Sequence, residues 1–459
     1  MNDYLQNITP DSFSGIVFGL EGMSKAIVLI NGPTGCKFYH SATSDNQSIK
    51  QLQFDPLNYP EQWYFGQPRV PCTYLDKRDY VYGSKDKIIE ALDFFKKNID
   101  FDILCIVNSP GASLIGDDLR GIAEDLCENI PCVFIQTPGY SKTVCEGFEY
   151  AMIQLLTQLT ERGWINKNSE LKTEQVKQIK AQDQIGPSEK TVKKTVNLIG
   201  VSILHKYFEG DVKELTRLLN MCGVEVHAVL ACDLTMEQLR KIGEADLNLV
   251  IHAEYGVKTA EHLKQEFGTP YYLCEGMPVG FKATERFVQD ICGIFQIERE
   301  RRENFIQESE RARARAYVYL SRLNSLTGLP KGVQFAVEGN WSECYSYVTF
   351  LVEYFGMAAE SISILNAGCD SGQVEEKLRN FLKLHHMEEA LERELPETNS
   401  ELVFANANTI ARLKLRGLAF SGIEISLPTM GYVDILPKTH MGIAGAMLLT
   451  EQVINGLMF

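Results

Sequence analysis

The sequence predicts an α/β fold made of three successive units with mainly parallel sheets. Three observations carry that prediction. Short apolar, β-branched runs alternate with stretches of helical periodicity along the whole chain. Polar, weakly patterned segments separate those runs into blocks. A length of 459 residues exceeds one ordinary core and suits two to four domains. At 45% hydrophobic and 23% charged residues, the composition is that of a globular chain rather than a fibrous or disordered one.

The first block covers residues 1–165. Asp11-Ser12 caps a helix running to Gly22, and Ala26–Ile30 follows as a buried strand. It breaks at Asn31-Gly32-Pro33, and the turn presents Cys36. Residues 37–70 have no clear period and read as a long excursion, closed by Val70-Pro-Cys72. Gly83-Ser84 opens a helix with Ile88, Ile89, Leu92 and Phe95 on one face. Phe101–Asn108 and Pro131–Thr137 are further strands, and a helix spans about Val144–Leu159. Strands alternating with helices at this spacing imply a parallel sheet covered on both faces.

A boundary is expected in the polar stretch 165–194. The second block, 195–325, opens with the strand Val196–Ile203 and a helix around Val212–Asn220. The strands Val224–Ala231, Leu247–His252 and Thr269–Cys274 complete its sheet. A long connecting helix is expected over 284–325, its interleaved Glu298–Arg315 charges forming a solvated face. The third block, 326–459, offers strands at Lys331–Val337, Ser361–Leu365, Leu402–Ala405 and Ile423–Leu427. Residues 370–400 are charged and ambiguous, and a last helix from Ala444 points Met447, Leu448, Val453, Ile454 and Leu457 toward a core.

A formal charge of −15 excludes non-specific nucleic-acid binding, which needs a basic surface. No apolar run approaches the ~20 residues of a membrane span. Met1-Asn-Asp-Tyr lacks the basic and apolar regions of a signal peptide, so a cytoplasmic location without a membrane partner is expected. There the twelve cysteines stay reduced, a disulfide framework is not expected, and most thiols act as small buried hydrophobes. Such a chain can still commit a few to iron–sulfur ligation.

Five separated motifs occur in one order: Gly32-Pro-Thr-Gly-Cys36, Val70-Pro-Cys72, Leu114-Ile-Gly-Asp-Asp118, Thr137-Pro-Gly-Tyr140, and Gly442-Ile-Ala-Gly-Ala446 running on to Asn455. In that order the chain resembles the nitrogenase component 1-type family over almost its whole length. That family includes molybdenum–iron protein subunits, cofactor scaffold proteins and nitrogenase-like reductases. The resemblance implies three Rossmann-like domains, a paired subunit, an iron–sulfur cluster at the subunit interface, and a separate ATP-hydrolysing iron protein as electron donor. In many members the domains enclose a second site for a metallocofactor or an organic substrate. No Gly-x-x-x-x-Gly-Lys-Ser/Thr loop occurs here, so ATP hydrolysis falls to the partner.

Cys36 and Cys72 match the family's first two cluster cysteines and are the candidate metal ligands. Both stand on loops at strand ends, and thiolates are the usual ligands of such clusters. Where nitrogenase subunits carry a third cysteine, this chain has Ser109-Pro110-Gly111, and Cys105 lies inside a predicted strand. Two thiolates per chain suit one [4Fe–4S] cluster shared by a dimer, whether a homodimer or a pair with a paralogous component 1 subunit.

The second site departs too. The position of the family's cofactor cysteine falls at His252, and its histidine falls near His440-Met441. Imidazole ligates metal or donates a proton, so His252 and His440 are the catalytic candidates. Met441 and Cys274 are the cofactor-binding candidates, with core packing as the other reading of Cys274. The expected function is the catalytic component of a nitrogenase-like reductase. The alternative is a metallocluster-assembly scaffold of the same fold.

Overall fold

The computed structural model describes residues 10–36, 70–127, 129–137, 141–167, 194–397, 399–426 and 435–458. The expected excursion after Cys36, the Pro138-Gly139-Tyr140 turn, the strand end at Leu427 and most of the 165–194 boundary lie outside these residues.

Three all-parallel sheets form. Helix α1 (Ser12–Glu21) is capped by Asp11, whose carboxylate accepts from the Phe13 and Ser14 amides. Strand β1 (Ala26–Asn31) is buried throughout, as its unbroken apolar run requires of a strand covered on both faces. It pairs with β2 (Ile103–Asn108), which pairs with β3 (Cys132–Gln136), in the order β1-β2-β3. Helices α2 (Lys85–Asn98) and α3 (Leu119–Leu126) cover one face. Helix α2 buries Ile88, Leu92 and Phe95 and leaves Ile89 half-buried. On the other face lie α1 and α4 (Val144–Glu161), the latter opened by a capping box between Thr143 and Glu146.

The second sheet has the order β5-β4-β6-β7, from β4 (Lys194–Ile199), β5 (Val224–Val229), β6 (Leu247–Val250) and β7 (Tyr271–Leu273). Its helices include α5 (Phe208–Met221) and α6 (Val257–Phe267). The long helix expected over 284–325 is two: α7 (Phe281–Phe295) and α8 (Arg299–Thr327). Gln296 takes a left-handed conformation, its amide closing the last turn of α7, which a continuous helix does not tolerate.

The third sheet has the order β11-β10-β8-β9, from β8 (Gln334–Gly339), β9 (Ala358–Ile364), β10 (Leu402–Asn406) and β11 (Ser421–Ser426). Helix α9 (Trp341–Phe355) follows β8, α10 (Val374–Leu384) resolves the ambiguous charged stretch, and α11 (Ala407–Leu415) follows β10. The last helix, α12 (Gly442–Gly456), buries Ile443, Ala446, Leu449 and Val453, while Met447, Leu448, Ile454 and Leu457 are only half-buried. Its buried stripe is rotated from the expected one because α12 packs against α8 and α5 of the second unit as well as against β11.

Each sheet carries a polar pair between two neighbouring strands, at the carboxyl ends in the first and third sheets and mid-strand in the second. Asn31 donates to Asn108 at 2.9 Å, Asn197 to Asn248 at 2.8 Å, and Asn406 to Glu338 at 2.7 Å. Buried amides find partners there that no apolar neighbour supplies. The expectation of fully reduced thiols meets one exception: Cys145, in the first turn of α4, is joined by a disulfide to Cys369 after β9. The fold brings these two together across 224 residues of sequence. No helix among the described residues is long and apolar enough to cross a membrane.

Candidate functional site

Two constellations form at the carboxyl ends of the strands, where open parallel sheets hold ligands. The first lies on the first sheet. The short turn after β1 carries Cys36, and the Val70–Thr73 segment runs beside β1, with Cys72 bridged to Ile30. The Cys72 thiol reaches the Gly32 carbonyl at 3.2 Å. A Cβ on Gly32 would meet Cys36 Sγ at 3.4 Å and Ser109 Oγ at 2.8 Å. Gly32 thus stands between two thiols and the hydroxyl of Ser109, and only its missing side chain permits that approach. Both cysteines are buried, at 6% and 2% exposure. Beside them, burial and then the charges of the Cys36 and Cys72 thiolates raise the Tyr80 phenol. Cys105 is buried in the middle of β2, in register with Val28 and short of the turn that carries Cys36.

A single chain brings two thiols to this point, and among the described residues no group of three or more His, Cys, Asp or Glu side chains is arranged to hold a metal. The donor set fits half of a four-thiolate cluster. When bound, such a cluster supplies one-electron transfer.

The second constellation is a small chamber of about 10 Å³, room for about one water, between the second and third sheets. His205 follows β4, His252 follows β6, Glu343 lies in the first turn of α9, and His440-Met441 precede α12. The His205 and His252 rings stack with centroids 4.1 Å apart. His205 Nδ1 accepts from the Ser202 amide at 3.1 Å, while its Nε2 and His252 Nδ1 find no partner among the described residues. Gly200 allows the stack: at φ +82°, a Cβ there would stand 2.6 Å from the His252 carbonyl oxygen.

His440 is held at both ring nitrogens. The Tyr347 hydroxyl, kept protonated by burial, donates to Nδ1 at 2.8 Å, and Nε2 donates to Gln452 Oε1 at 2.9 Å. An imidazole engaged at both nitrogens has no lone pair to offer a metal. With a water-sized chamber, this residue set does not fit a resident metallocofactor.

Burial sets the chamber's charge states. It lowers His205 to about 4 and His252 well below the ordinary range, the neighbouring His205 adding to the latter. Both imidazoles are therefore neutral at pH 7. Burial raises Asp211 to about 7 against the opposing hydrogen bond from Thr439, and Glu343 to about 8 against that from the Asn340 amide. The groups that hold an acidic proton near neutral pH are thus carboxyls. Lys206 and Glu424 form a buried ion pair at 2.5 Å.

The structure therefore brings Cys36 and Cys72 together and places His252, His440 and Met441 on one chamber. Cys274 is not part of it. Cys274 sits at the end of β7, where its amide donates to the Val250 carbonyl and burial raises its thiol. Sequence reasoning missed His205, Asp211, Glu343 and Tyr347. His205 was detectable in principle as a second histidine just past a strand end.

A family model described as nitrogenase component 1 type oxidoreductase matches residues 12–458. One subunit of the light-independent protochlorophyllide reductase of Synechococcus sp. (strain CC9902) is 30% identical over 232 residues, 50% of this chain and 40% of that protein. The corresponding polypeptide from Heliobacterium modesticaldum is 25% identical over 278 residues, 61% of this chain and 46% of that protein. The matched stretch is thus less than half the length of these curated relatives. A solved chain described as nitrogenase Cp1 at pH 6.5 superposes with a TM-score of 0.69 at 14% identity, covering 97% of this chain and 91% of that one, a likeness of fold.

Proposed function

The chain belongs to the nitrogenase component 1 type oxidoreductase family, and from that premise we propose that it is the catalytic component of a nitrogenase-like reductase. In this reading a second subunit, identical or paralogous, completes a [4Fe–4S] site with Cys36 and Cys72. A separate ATP-hydrolysing iron protein is the electron donor, and the assembly works in the cytoplasm. The observation that carries the reading is the convergence of Cys36 and Cys72 on Gly32, with an independent proton-holding chamber between the other two sheets.

The division of labour follows from the residues. Cys36 and Cys72 hold the redox group, and Ser109 stands beside them in place of a third thiol. Beside the water-sized chamber, Glu343 and Asp211 hold protons near neutral pH, a store that a substrate taking up electrons elsewhere between the domains can draw on. His252 and His205 present neutral, stacked rings to the chamber. Tyr347 fixes the tautomer of His440 by donating to its Nδ1.

Anaerobic purification from iron-replete cells tests the reading. It should give a brown protein with about four irons per dimer, as four thiolates around one cubane require. The Cys36→Ser and Cys72→Ser variants should each lose most of that iron. A colourless wild-type protein, or full iron retention in both variants, would refute the ligand assignment. Turnover with an iron protein and ATP distinguishes a reductase from a scaffold, which would instead pass a cluster to an apo-acceptor.

A further inference from the structure

The disulfide joins the first unit to the third where, among the described residues, no helix or strand of one packs broadly on the other. Helix α4 of the first unit packs instead against α6 of the second. There the Glu149 carboxylate accepts from the Lys258 and Thr259 amides at 2.9 and 3.2 Å. One helical turn before Glu149, Cys145 is bonded to Cys369, in the segment after β9. The Thr143 hydroxyl, which caps α4, lies 3.0 Å from Cys369 Sγ. One helix thus holds the second unit through a hydrogen-bonded carboxylate and the third through a disulfide.

The other thiols set this bond apart. The ten remaining cysteines are free, and all but Cys232 are buried. Cys222 and Cys292 stay unbonded even with their sulfurs 3.8 Å apart. That pattern suits a reducing compartment, where a disulfide, when present, is usually transient and redox-sensing. The two bonded sulfurs also differ in the way that exchange requires. Cys369 is the more exposed, at 7% against 1%, and lies between exposed Gly368 and Asp370. Cys145 lies in the first turn of an 18-residue helix, where a thiolate is favoured, so it is the better leaving group.

We propose that Cys145–Cys369 is a reversible latch between the first and third units, opened by thiol–disulfide exchange with a dithiol reductant. A thiolate of the reductant attacks Cys369 Sγ, the S–S bond breaks, and Cys145 leaves as a thiolate. That thiolate takes up the proton the attacking thiol released. The reductant's second thiol then displaces Cys369 from the mixed disulfide. One protein disulfide and one dithiol become two protein thiols and one reductant disulfide. With the bond open, α4 keeps its hold on the second unit through Glu149 and is released from the third. Reversibility rests on the cytoplasmic reading proposed above, whereas the link between the units does not.

The full chain, purified anaerobically, tests the latch. After treatment with oxidised glutathione, a non-reducing digest should contain a linked Cys145–Cys369 peptide. Millimolar dithiothreitol should then add two alkylatable thiols per chain without denaturant. Amide hydrogen exchange over residues 144–149 and 366–372 should quicken by at least about tenfold, as expected for local opening. Cys369→Ser should exchange at the faster rate with or without dithiothreitol. A bond that yields only after denaturation, or whose reduction leaves exchange in both segments unchanged, would overturn the proposal. So would the absence of the linked peptide, whether or not Cys369→Ser folds. Iron content measured alongside judges the cluster separately. An iron-free chain whose bond still opens and closes would refute the cluster assignment and leave the latch standing.

Discussion

Replacing Tyr347 by Phe isolates what holds His440 in the chamber. The ring is retained, so its packing against Phe404, with centroids 6.1 Å apart, persists and no cavity larger than one oxygen appears. What is lost is the 2.8 Å hydrogen bond into His440 Nδ1. Both residues are 2% exposed, so no water replaces the donor without rearrangement. Leaving a buried acceptor unpaired costs about 1–3 kcal/mol. Unfolding entropy of ~2.1 cal/mol/K per residue gives about 1 kcal/mol/K for a chain of 459 residues. The melting temperature should therefore fall by about 1–3 °C if the chain melts as one unit. The control is Tyr354→Phe, which removes a hydroxyl without a partner among the described residues and should cost nothing. Nitrogen-15 spectra of labelled histidine give an independent readout. His440 Nδ1 should shift on loss of its donor, while Nε2, bonded to Gln452, stays protonated. An unchanged melting temperature together with an unmoved Nδ1 resonance would refute the assignment of Tyr347 as the group that fixes this imidazole.

Two further outcomes follow from the chamber's construction. Asp211 is raised from 3.8 to about 7 by burial, so between those values the native state keeps a proton that the unfolded chain has lost. Stability is therefore lost as pH rises through that window, by up to about 4 kcal/mol at 1.36 kcal/mol per unit. Asp211→Asn should flatten the fall in melting temperature between pH 4 and pH 7, and an identical pH profile in the variant would contradict the assignment. Gly200→Ala forces a side chain into a left-handed backbone 2.6 Å from the His252 carbonyl oxygen. It should destabilise by roughly 2 kcal/mol or more, measured by chemical denaturation, and a neutral effect would mean that His252 is not held against this turn.

Local pattern made the strands and most helices legible. An apolar run such as Ala26–Asn31 can be satisfied only as a strand covered on both faces, and Asp11 or Thr143 announces a helix start by its own side chain. The break at Gln296 was not legible, because the interleaved charges begin only at Glu298 and nothing in the periodicity marks one left-handed residue. The buried face of α12 was misjudged for a related reason. A helix contacting two units selects its stripe by tertiary contact, and its apolar residues extend round more of its surface than one core requires.

At the sites, the family resemblance together with thiol and imidazole chemistry made Cys36, Cys72, His252 and His440 the candidates. Motif order was enough to mark the family, because it survives when overall identity does not. The states of those side chains came from folding alone. Folding placed Gly32 between the two thiols, stacked His205 on His252, and closed both nitrogens of His440. It also moved the proton-holding role from imidazoles to Glu343 and Asp211. Burial penalises charge of either sign. It strips the proton from a histidine and leaves one on a carboxyl, and burial is a property of the folded whole that no stretch of sequence carries.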